Sequence, residues 1–377
     1  AASSDYPLRD VYKRQPPHSA QEGPGTRSRR APAQRQPAHR RPRHGTATIA
    51  GAPRSLSSFH IAVSTPLLVR LPNHLGDTLM TLPALDRLVA AGFALTLIGK
   101  GWARPLFGAY DWPVHPAPSR FSETMGQWRA LCAQLGTDEA ILFTNSFGTA
   151  LGARLGGAAA VGFATEARGW LLGRAVPMPP RWTGDMHTVE YYDALVDALL
   201  GTPARTVPPI ALRLAPRAQA TALSLLAEAG VTVPYIVLCP GATGLHRGRE
   251  KTWAEFARLT RWLLELQQRV VALPGPGERA RFQSVLPGAT ILPEADVATF
   301  GAVLAGSRLV IANDSGPGHL AAAVDARLVS LFGVTEPEKT RPWGNRVTVV
   351  GSDVAWPTFD EVCDAVAPVL DEPSPAR

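Results

Sequence analysis

The chain has 377 residues, of which 45% are hydrophobic, so it is long enough to form about two domains of ~150 residues each. Its formal net charge of +7 is concentrated at one end, because residues 1–60 carry 11 Lys or Arg against 3 Asp or Glu, whereas residues 61–377 carry 27 against 28. A body with a net charge of −1 gives no electrostatic reason to bind nucleic acid, and we expect no such partner for it.

The first 60 residues are predicted to be a disordered basic tail. They are rich in Arg, Pro, Gln and Ser and poor in large apolar side chains, so they cannot bury enough surface to offset the entropy lost on ordering. The stretch contains no Met and includes SSDYPLRDVYKRQ near its start, which suggests an artefactual leader and excludes it from fold reasoning. An arm that binds nucleic acid or lipid is the alternative, because basic runs attract polyanions.

From residue 61 to residue 200, short apolar runs alternate with longer amphipathic segments. The runs predict strands at 66–71, 94–99, 139–145 and 160–164, and the segments predict helices near 78–91, 121–135, 147–156 and 187–200. Such alternation is typical of βαβ units with a parallel sheet.

A proline-rich segment separates this pattern from a second one of the same kind. GTPARTVPPIALRLAPR (201–217) has four prolines that interrupt regular structure, and it predicts a linker. Beyond it, strands are predicted at 235–241, 269–275, 289–293, 308–316, 327–333 and 346–351. Two capping boxes, Thr252 with Glu255 and Thr358 with Glu361, predict the starts of two helices.

These patterns predict an α/β fold of two Rossmann-like, doubly wound parallel-sheet domains that face each other across a cleft. The domains are expected at 61–212 and 213–355, followed by a C-terminal helix and tail at 356–377. Ligands of such sheets bind outside the carboxyl ends of the strands. Functional residues are therefore expected in the loops after 71, 241, 275 and 314.

Cysteine usage and hydropathy indicate the compartment. Cys132, Cys239 and Cys363 have no CxxC spacing and no His at ligand spacing, so we expect neither a disulfide framework nor a metal site. No apolar run reaches the ~18–20 residues that cross a bilayer, and no signal-peptide pattern is present. We expect a cytoplasmic protein, with any membrane association peripheral.

The loop RLPNHLGD (70–77) contains a carboxylate where a nucleotide-binding loop would carry more glycines. It lacks GxGxxG, and the chain has no GxxxxGK[ST], so dinucleotide and P-loop chemistry are not indicated. Asp77 would sit at the start of an apolar helix. It could cap the free N–H groups there or, facing a cleft, serve as a general base.

Two further loops are suited to anions. CPGATGLHRGREKTWAEF (239–256) places Arg247, Arg249 and Lys251 before a predicted helix N-terminus, which suits a phosphate, although a solvated basic loop would look the same. IANDSGPGHLAAAV (311–324) leads through two glycines into a small-residue helix, where backbone N–H groups can converge on an anion. A helix cap at Asp314 with an inert surface His319 is the alternative. Two such loops in one domain point to a nucleotide diphosphate.

Three segments together resemble the ADP-heptose:lipopolysaccharide heptosyltransferases of glycosyltransferase family 9, with the heptosyltransferase II branch most similar. They are LLVRLPNHLGDTLMTLPALDRL, VLCPGATGLHRGREKTWAEFARL and VIANDSGPGHLAAAVDARLVSLFGVTEP. The resemblance covers roughly residues 66–340 in the family's order. It implies a GT-B fold whose first domain binds the acceptor and whose second domain binds the nucleotide sugar.

The resemblance also implies an activity. The family transfers L-glycero-D-manno-heptose from ADP-heptose, with inversion, to a heptose of the lipopolysaccharide inner core, and it needs no cofactor or metal. The implied partners are ADP-heptose and the core acceptor, with peripheral contact to the cytoplasmic face of the inner membrane. Another nucleotide-sugar donor, or a nucleotide-sugar-binding protein without activity, is the alternative.

Site residues follow from the matched motifs. Asp77 corresponds to the family's general base, and Lys251 to the lysine that contacts the leaving diphosphate. Glu278 aligns with an acidic residue near the ribose. The remaining substrate-binding candidates belong to the two glycine-containing loops and are Asn73, Gly76, Asp314, Ser315, Gly316, Gly318 and His319.

Overall fold

The first half of the chain forms a six-stranded parallel sheet with helices between the strands. The computed structural model describes residues 64–241, 245–246 and 248–372, so the predicted tail at 1–60 lies outside the described residues. The strands are β1 (Thr65–Arg70), β2 (Phe93–Gly99), β3 (Val114–Pro116), β4 (Glu139–Leu142), β5 (Ala159–Phe163) and β6 (Arg174–Val176). The helices are α1 (Leu75–Met80), α2 (Leu82–Ala90), α3 (Ala103–Leu106), α4 (Phe121–Leu135), α5 (Phe147–Leu155) and α6 (Thr188–Leu200).

The second half repeats this arrangement. Its strands are β7 (Ile236–Cys239), β8 (Leu245–His246), β9 (Arg249–Glu250), β10 (Val270–Ala272), β11 (Thr290–Ile291), β12 (Leu309–Asn313), β13 (Leu328–Phe332) and β14 (Val347–Gly351). Its helices are α7 (Pro216–Glu228), α8 (Phe256–Glu265), α9 (Arg279–Val285), α10 (Val297–Ala305), α11 (Gly316–Ala323), α12 (Pro337–Thr340) and α13 (Phe359–Asp371). Strands β8 and β9 form a separate antiparallel pair.

Both large sheets have the same strand order. The first is β3-β2-β1-β4-β5-β6 and the second is β11-β10-β7-β12-β13-β14, with every neighbouring pair parallel. In each sheet the order reverses between the first and fourth strands, which is the doubly wound Rossmann topology. The predicted pair of parallel sheets is confirmed, and the ligand-binding crevices are expected beside β1 and β7.

The central strands formed where the sequence has continuous apolar runs, because a parallel strand is covered on both faces. Ile236–Cys239 is buried throughout. The core of the first half includes Leu68, Trp128 and Leu142, and none of the three exposes any surface. Each half therefore has its own apolar centre around its own sheet.

Helix boundaries confirm some predictions and correct others. The helix predicted at 121–135 is α4. The single helix predicted at 78–91 is wrong, because α1 ends at Met80 and α2 begins at Leu82. Pro83, which lies in the first turn of α2, has no N–H to continue the α1 ladder and would collide with a carbonyl of the preceding turn.

The C-terminal helix starts as predicted. The hydroxyl of Thr358 accepts a hydrogen bond from the backbone N–H of Glu361 at 3.3 Å, and the Glu361 carboxylate accepts one from the backbone N–H of Thr358 at 2.7 Å. This reciprocal pair satisfies two N–H groups that the helix cannot. The capping box is confirmed.

The segment between the two sheets contains neither helix nor strand from residue 201 to residue 215, as the prolines predict. It lies against the second half, where the N–H of Ile210 donates to the carbonyl of Trp343 at 3.3 Å and that of Leu212 donates to Ala323 at 2.8 Å. The domain boundaries proposed from the sequence remain predictions. Both sheets belong to one structural unit that begins at Ser64 in the described chain.

Candidate active site

Asp77 lies in the first turn of α1, directly after the loop that leaves the carboxyl end of β1. The N-cap of α1 is His74, and no side chain caps this helix, so the interpretation of Asp77 as a helix cap is wrong. Its carboxylate instead accepts a hydrogen bond from the hydroxyl of Tyr192, in α6. A distant side chain therefore orients Asp77, while the acid still complements the helix dipole.

The surroundings of Asp77 strengthen it as a base. Burial raises the pKa of its carboxyl above the ordinary value of 3.8, while His74, the Tyr192 hydroxyl and Lys251 act in the opposite direction. Lys251 belongs to the second half of the chain, so the two halves bring these groups within electrostatic range. A carboxylate with a raised pKa, held by a hydrogen bond at a sheet edge, has the properties of a general base.

Asp314 is the charged residue of the turn between β12 and α11. It is buried, and its carboxylate accepts a hydrogen bond from the hydroxyl of Thr335 at 2.6 Å. The same oxygen lies 3.4 Å from the Lys251 ammonium nitrogen. The N-cap of α11 is Ser315 and not Asp314, so the interpretation of Asp314 as that cap is wrong.

Asn313 ties the two anion-suited loops together. Its amide nitrogen donates to the carbonyl of Pro240 at 2.9 Å, and its amide oxygen accepts from the backbone N–H of Trp253 at 3.1 Å. Both contacts are buried, and Asn313 itself exposes no surface. This bridge holds the loop that carries Lys251 beside the turn that carries Asp314.

The bridge also explains why the capping box predicted at Thr252 is wrong. The helix α8 begins at Phe256 with Glu255 as its N-cap, and no side chain caps it. Before this helix, the backbone N–H of Trp253 donates to the Asn313 amide oxygen, and this hydrogen bond holds the chain in a loop. Arg249, a second phosphate candidate, donates to the carbonyls of Gly333, Asp353 and Val354, whereas Arg247 lies outside the described residues.

His319 is buried and not on the surface, since only 6% of it is exposed. Its Nε2 lies 3.9 Å from a carboxylate oxygen of Asp314. Burial lowers the pKa of the imidazole to about 4, against an opposing effect of Asp314. The ring is therefore neutral near pH 7, and the interpretation of His319 as a surface residue is wrong.

The other predicted residues lie at the same sheet edges. The amide oxygen of Asn73 accepts from the Arg70 guanidinium at 2.7 Å. The Glu278 carboxylate accepts from the backbone N–H of Gly275 at 3.0 Å and faces Gly241, at the end of β7. The Ser315 hydroxyl donates to the Asn313 carbonyl at 3.2 Å.

Close backbone approach brings the two halves together at this point. Helix α1 lies against helix α11, with Gly76 beside the His319 ring and Leu75 beside Gly316. Gly318 lies in the first turn of α11, above the Asn313 carbonyl. The structure thus unites one partly buried carboxylate from the first half with a lysine, a carboxylate and a glycine-containing turn from the second.

Sequence reasoning missed two partners of these carboxylates. Tyr192 lies in the YYDAL stretch of α6, and Thr335 follows β13. Nothing in either local pattern signals a contact with a residue so distant in the chain. Among the residues that the structure describes, no group of three or more His, Cys, Asp or Glu could hold a metal ion.

The family whose sequence model matches is glycosyltransferase family 9 (heptosyltransferase), from residue 127 to residue 366, which is 240 of the 377 residues. The chain belongs to glycosyltransferase family 9. The family resemblance is thereby confirmed, and the second and third of its motifs lie within the matched range.

Curated relatives carry heptosyltransferase names. Lipopolysaccharide heptosyltransferase 1 of Pseudomonas aeruginosa is 38% identical over 133 residues, which are 34% of this chain and 37% of that protein. Lipooligosaccharide heptosyltransferase 2 of Haemophilus influenzae is 34% identical over 134 residues, or 31% of this chain and 36% of that protein. The matching stretch therefore spans little more than a third of these relatives.

Solved family 9 structures share the fold over a greater length. The structure of E. coli ADP-heptose lps heptosyltransferase II matches with a TM-score of 0.67 at 21% identity, covering 81% of this chain and 98% of that one. The family 9 glycosyl transferase of Veillonella parvula matches with a TM-score of 0.68 at 17% identity, covering 80% and 91%. The predicted GT-B fold is confirmed.

Proposed function

We propose that this family 9 protein is an inverting heptosyltransferase. It transfers L-glycero-D-manno-heptose from ADP-heptose to a heptose of the lipopolysaccharide inner core. The observation that carries the proposal is the electrostatic interaction of Asp77 with Lys251 and Asp314, in which a partly buried carboxylate at one sheet edge faces an anion-suited loop at the other. The heptosyltransferase names of the curated relatives supply the substrate class.

In the proposed reaction Asp77 acts on the acceptor hydroxyl. Its carboxylate takes the proton of the attacking hydroxyl while the acceptor oxygen forms a bond to the anomeric carbon of the donor. The bond from that carbon to the diphosphate oxygen breaks at the same time, so ADP leaves with the electron pair and the configuration inverts. The hydrogen bond from Tyr192 orients the carboxylate for this step.

As that bond breaks, negative charge grows on the leaving diphosphate. Lys251 lies beside it in the proposal, and the N–H groups of the turn from Asp314 to His319 donate to its oxygens. We propose that these groups offset the charge without a metal or other cofactor. Glu278 is assigned to the ribose, because it stands at the neighbouring strand end beside Gly241.

Replacing Asp77 by Asn tests the base. The amide keeps the size of the side chain and can still accept from Tyr192, but it cannot take a proton. With ADP-heptose and a heptose-primed core acceptor, we expect kcat to fall by at least ~10²-fold, the lower end of what a general base contributes. Asp86→Asn is the matched control, because Asp86 is an exposed carboxylate one helix further on. Normal turnover by Asp77→Asn would refute the role.

Replacing Lys251 by Ala tests the diphosphate site. We expect weaker ADP binding in calorimetry and a lower kcat, because the ammonium would contact the leaving group. Unchanged donor KM and kcat would exclude Lys251 from the site. In the same assay, turnover with another nucleotide sugar, or binding of ADP-heptose without transfer, would favour one of the two alternative functions.

A lipid-anchored acceptor requires the protein to approach a membrane. Among the described residues, no helix is both long and apolar enough to cross a bilayer. We propose peripheral contact with the cytoplasmic face of the inner membrane through three exposed aromatic residues, Phe121, Phe147 and Trp170, which are 45%, 38% and 73% exposed. They follow the carboxyl ends of β3, β4 and β5, the edge of the sheet at which Asp77 also lies.

Vesicle sedimentation tests this surface. Vesicles of phosphatidylglycerol and phosphatidylethanolamine should bind the full chain, and Phe147→Ser with Trp170→Ser should weaken binding by ~10-fold, since aromatic rings favour the interfacial region. Val354→Ser is the matched control, because Val354 is 73% exposed on the other half. Equal binding by all three proteins would refute the assignment.

A further inference from the structure

The contact between α1 and α11 depends on two glycines. A Cβ placed on Gly76 would lie 2.7 Å from the Cδ2 atom of His319 and 3.1 Å from its Cγ and Nε2 atoms. On the other side of the same contact, a Cβ on Gly316 would lie 3.2 Å from the Cβ of Leu75. Each half thus contributes one glycine and one side chain that fills the space above the partner's glycine.

These glycines are not required by backbone conformation. Neither Gly76 nor Gly316 belongs to the glycines with positive φ, and both lie in ordinary helical turns, where alanine is normally preferred. Conformational freedom therefore does not account for them. The narrow space between the two helices accounts for both glycines, because a side chain at either position would have to displace the side chain that faces it.

The ring that faces Gly76 has little room to give way. His319 is 6% exposed; its ring faces Gly76, and its Nε2 lies 3.9 Å from a carboxylate oxygen of Asp314. A methyl group at position 76 needs about 3.5–4.0 Å from a ring carbon. The helices would therefore separate by roughly 1 Å, or the ring would move into Asp314.

We propose that Gly76 is a positioning residue: by carrying no side chain it lets α1 close on the His319 ring, and this sets the distance from Asp77 to the diphosphate-binding turn. Gly316 does the same from the opposite side. The inference rests on the proposed function, because the distance matters only if Asp77 and the turn act on one donor–acceptor pair. Reacting groups need near-ideal spacing, and a displacement of ~1 Å can cost ~10²-fold in rate.

The first experiment compares Gly76→Ala with wild-type enzyme. We expect kcat for heptosyl transfer to fall by ~10- to 100-fold, while ADP binding measured by calorimetry falls by a smaller factor than kcat, because the added methyl group meets one side chain of the nucleotide-binding half and leaves Lys251 in place. Gly126→Ala is the matched control. Gly126 is an exposed glycine inside α4 with no atom within 4 Å of an added Cβ, so its variant should keep full activity.

The second experiment removes the facing ring. In a His319→Ala background, itself impaired, adding Gly76→Ala should cost less than ~3-fold in kcat, because the added methyl then meets empty space. If Gly76→Ala also lowers the melting temperature, the double variant should recover that loss. In a Leu75→Ala background, Gly316→Ala should likewise lower kcat by less than it does in wild-type enzyme.

The outcomes separate the inference from the function on which it rests. Wild-type enzyme that transfers no heptose would refute the proposed function. Wild-type transfer with a fully active Gly76→Ala variant would overturn the positioning role alone. An equal rate loss from Gly76→Ala in the presence and absence of the His319 ring would also overturn it, since the loss would then not come from the contact.

Discussion

His187 is the N-cap of α6 and contacts both halves of the chain. Its Nδ1 accepts from the backbone N–H of Val189 at 3.1 Å, and its Nε2 lies 2.9 Å from the carbonyl of Arg341 in the second half. The two partners fix the tautomer, with the proton on Nε2. The side chain is 2% exposed, and burial lowers the pKa of the ring to about 3.

This geometry predicts a loss of stability in mild acid. The unfolded chain binds a proton at His187 below pH 6.5, whereas the folded chain does so only near pH 3, so the unfolded state gains protons first and stability falls with pH across that window. At pH 7.5 His187 is almost entirely unprotonated in both states. The loss therefore accumulates between pH 6.5 and pH 5, an interval of about 1.5 pH units. At ~1.4 kcal/mol per unit, His187 costs about 2 kcal/mol of unfolding free energy.

His187→Asn isolates this contribution. Asn can cap α6 but does not titrate, so the variant should be less stable at pH 7.5, where the bond to Arg341 is lost, yet lose about 2 kcal/mol less than wild type on going to pH 5. Urea unfolding followed by circular dichroism at both pH values measures the difference. His115→Asn is the control, since His115 lies in the edge strand β3 and is only partly buried.

One outcome of comparing wild type with His187→Asn would refute the burial argument. Buried His319 adds a loss of the same sign in every variant, and carboxylates titrate in all of them, so only the difference between wild type and His187→Asn is diagnostic. Equal losses in those two proteins would show that His187 is protonated as readily in the folded chain as in the unfolded chain. The burial argument would then be wrong.

Three further outcomes are expected. Arg87→Met should lower the unfolding free energy by about 3 kcal/mol in urea titration, because Arg87 lies 2.7 Å from Asp193 and 2.7 Å from Asp197. Its loss leaves Asp193 only the longer ion pair with Arg205, at 3.9 Å, and Asp193→Asn should recover part of the lost free energy. Thr358→Ala should cost about 1 kcal/mol in the same measurement, since it removes the cap of α13. The acid limb of the kcat/KM profile should lie above pH 3.8 and disappear in Asp77→Asn, because burial raises the pKa of Asp77, the proposed base, which must be deprotonated to act.

Much of the fold was predictable because parallel strands are buried on both faces. Such strands appear in a sequence as short continuous apolar runs, and the interior strands of both sheets lie within a few residues of their predicted positions. The edge strands β3 and β6 were missed, since each has three residues and mixed burial. The helix α7 was missed because Pro216, its first residue, resembled one more break in the linker.

The site was predictable in its loops but not in its contacts. The loops at 70–77, 239–256 and 311–324 follow strand ends, so topology alone places them at the two sheet edges. The partners Tyr192 and Thr335 could not be found, because a hydrogen bond between distant segments leaves no local periodicity. The contact of Gly76 with His319 was hidden for the same reason.

Asp77 is not the cap of α1, and this bears directly on its chemistry. A carboxylate that caps a helix accepts backbone N–H bonds, and these lower its pKa and weaken it as a base. In this chain His74 occupies the cap position and Asp77 stands three residues later, where burial outweighs the Tyr192 bond and raises the pKa. The first turn of α1 thus holds the carboxylate in place, although the carboxylate does not cap the helix. A carboxylate required to take a proton from an acceptor hydroxyl gains more from this arrangement than from capping the helix.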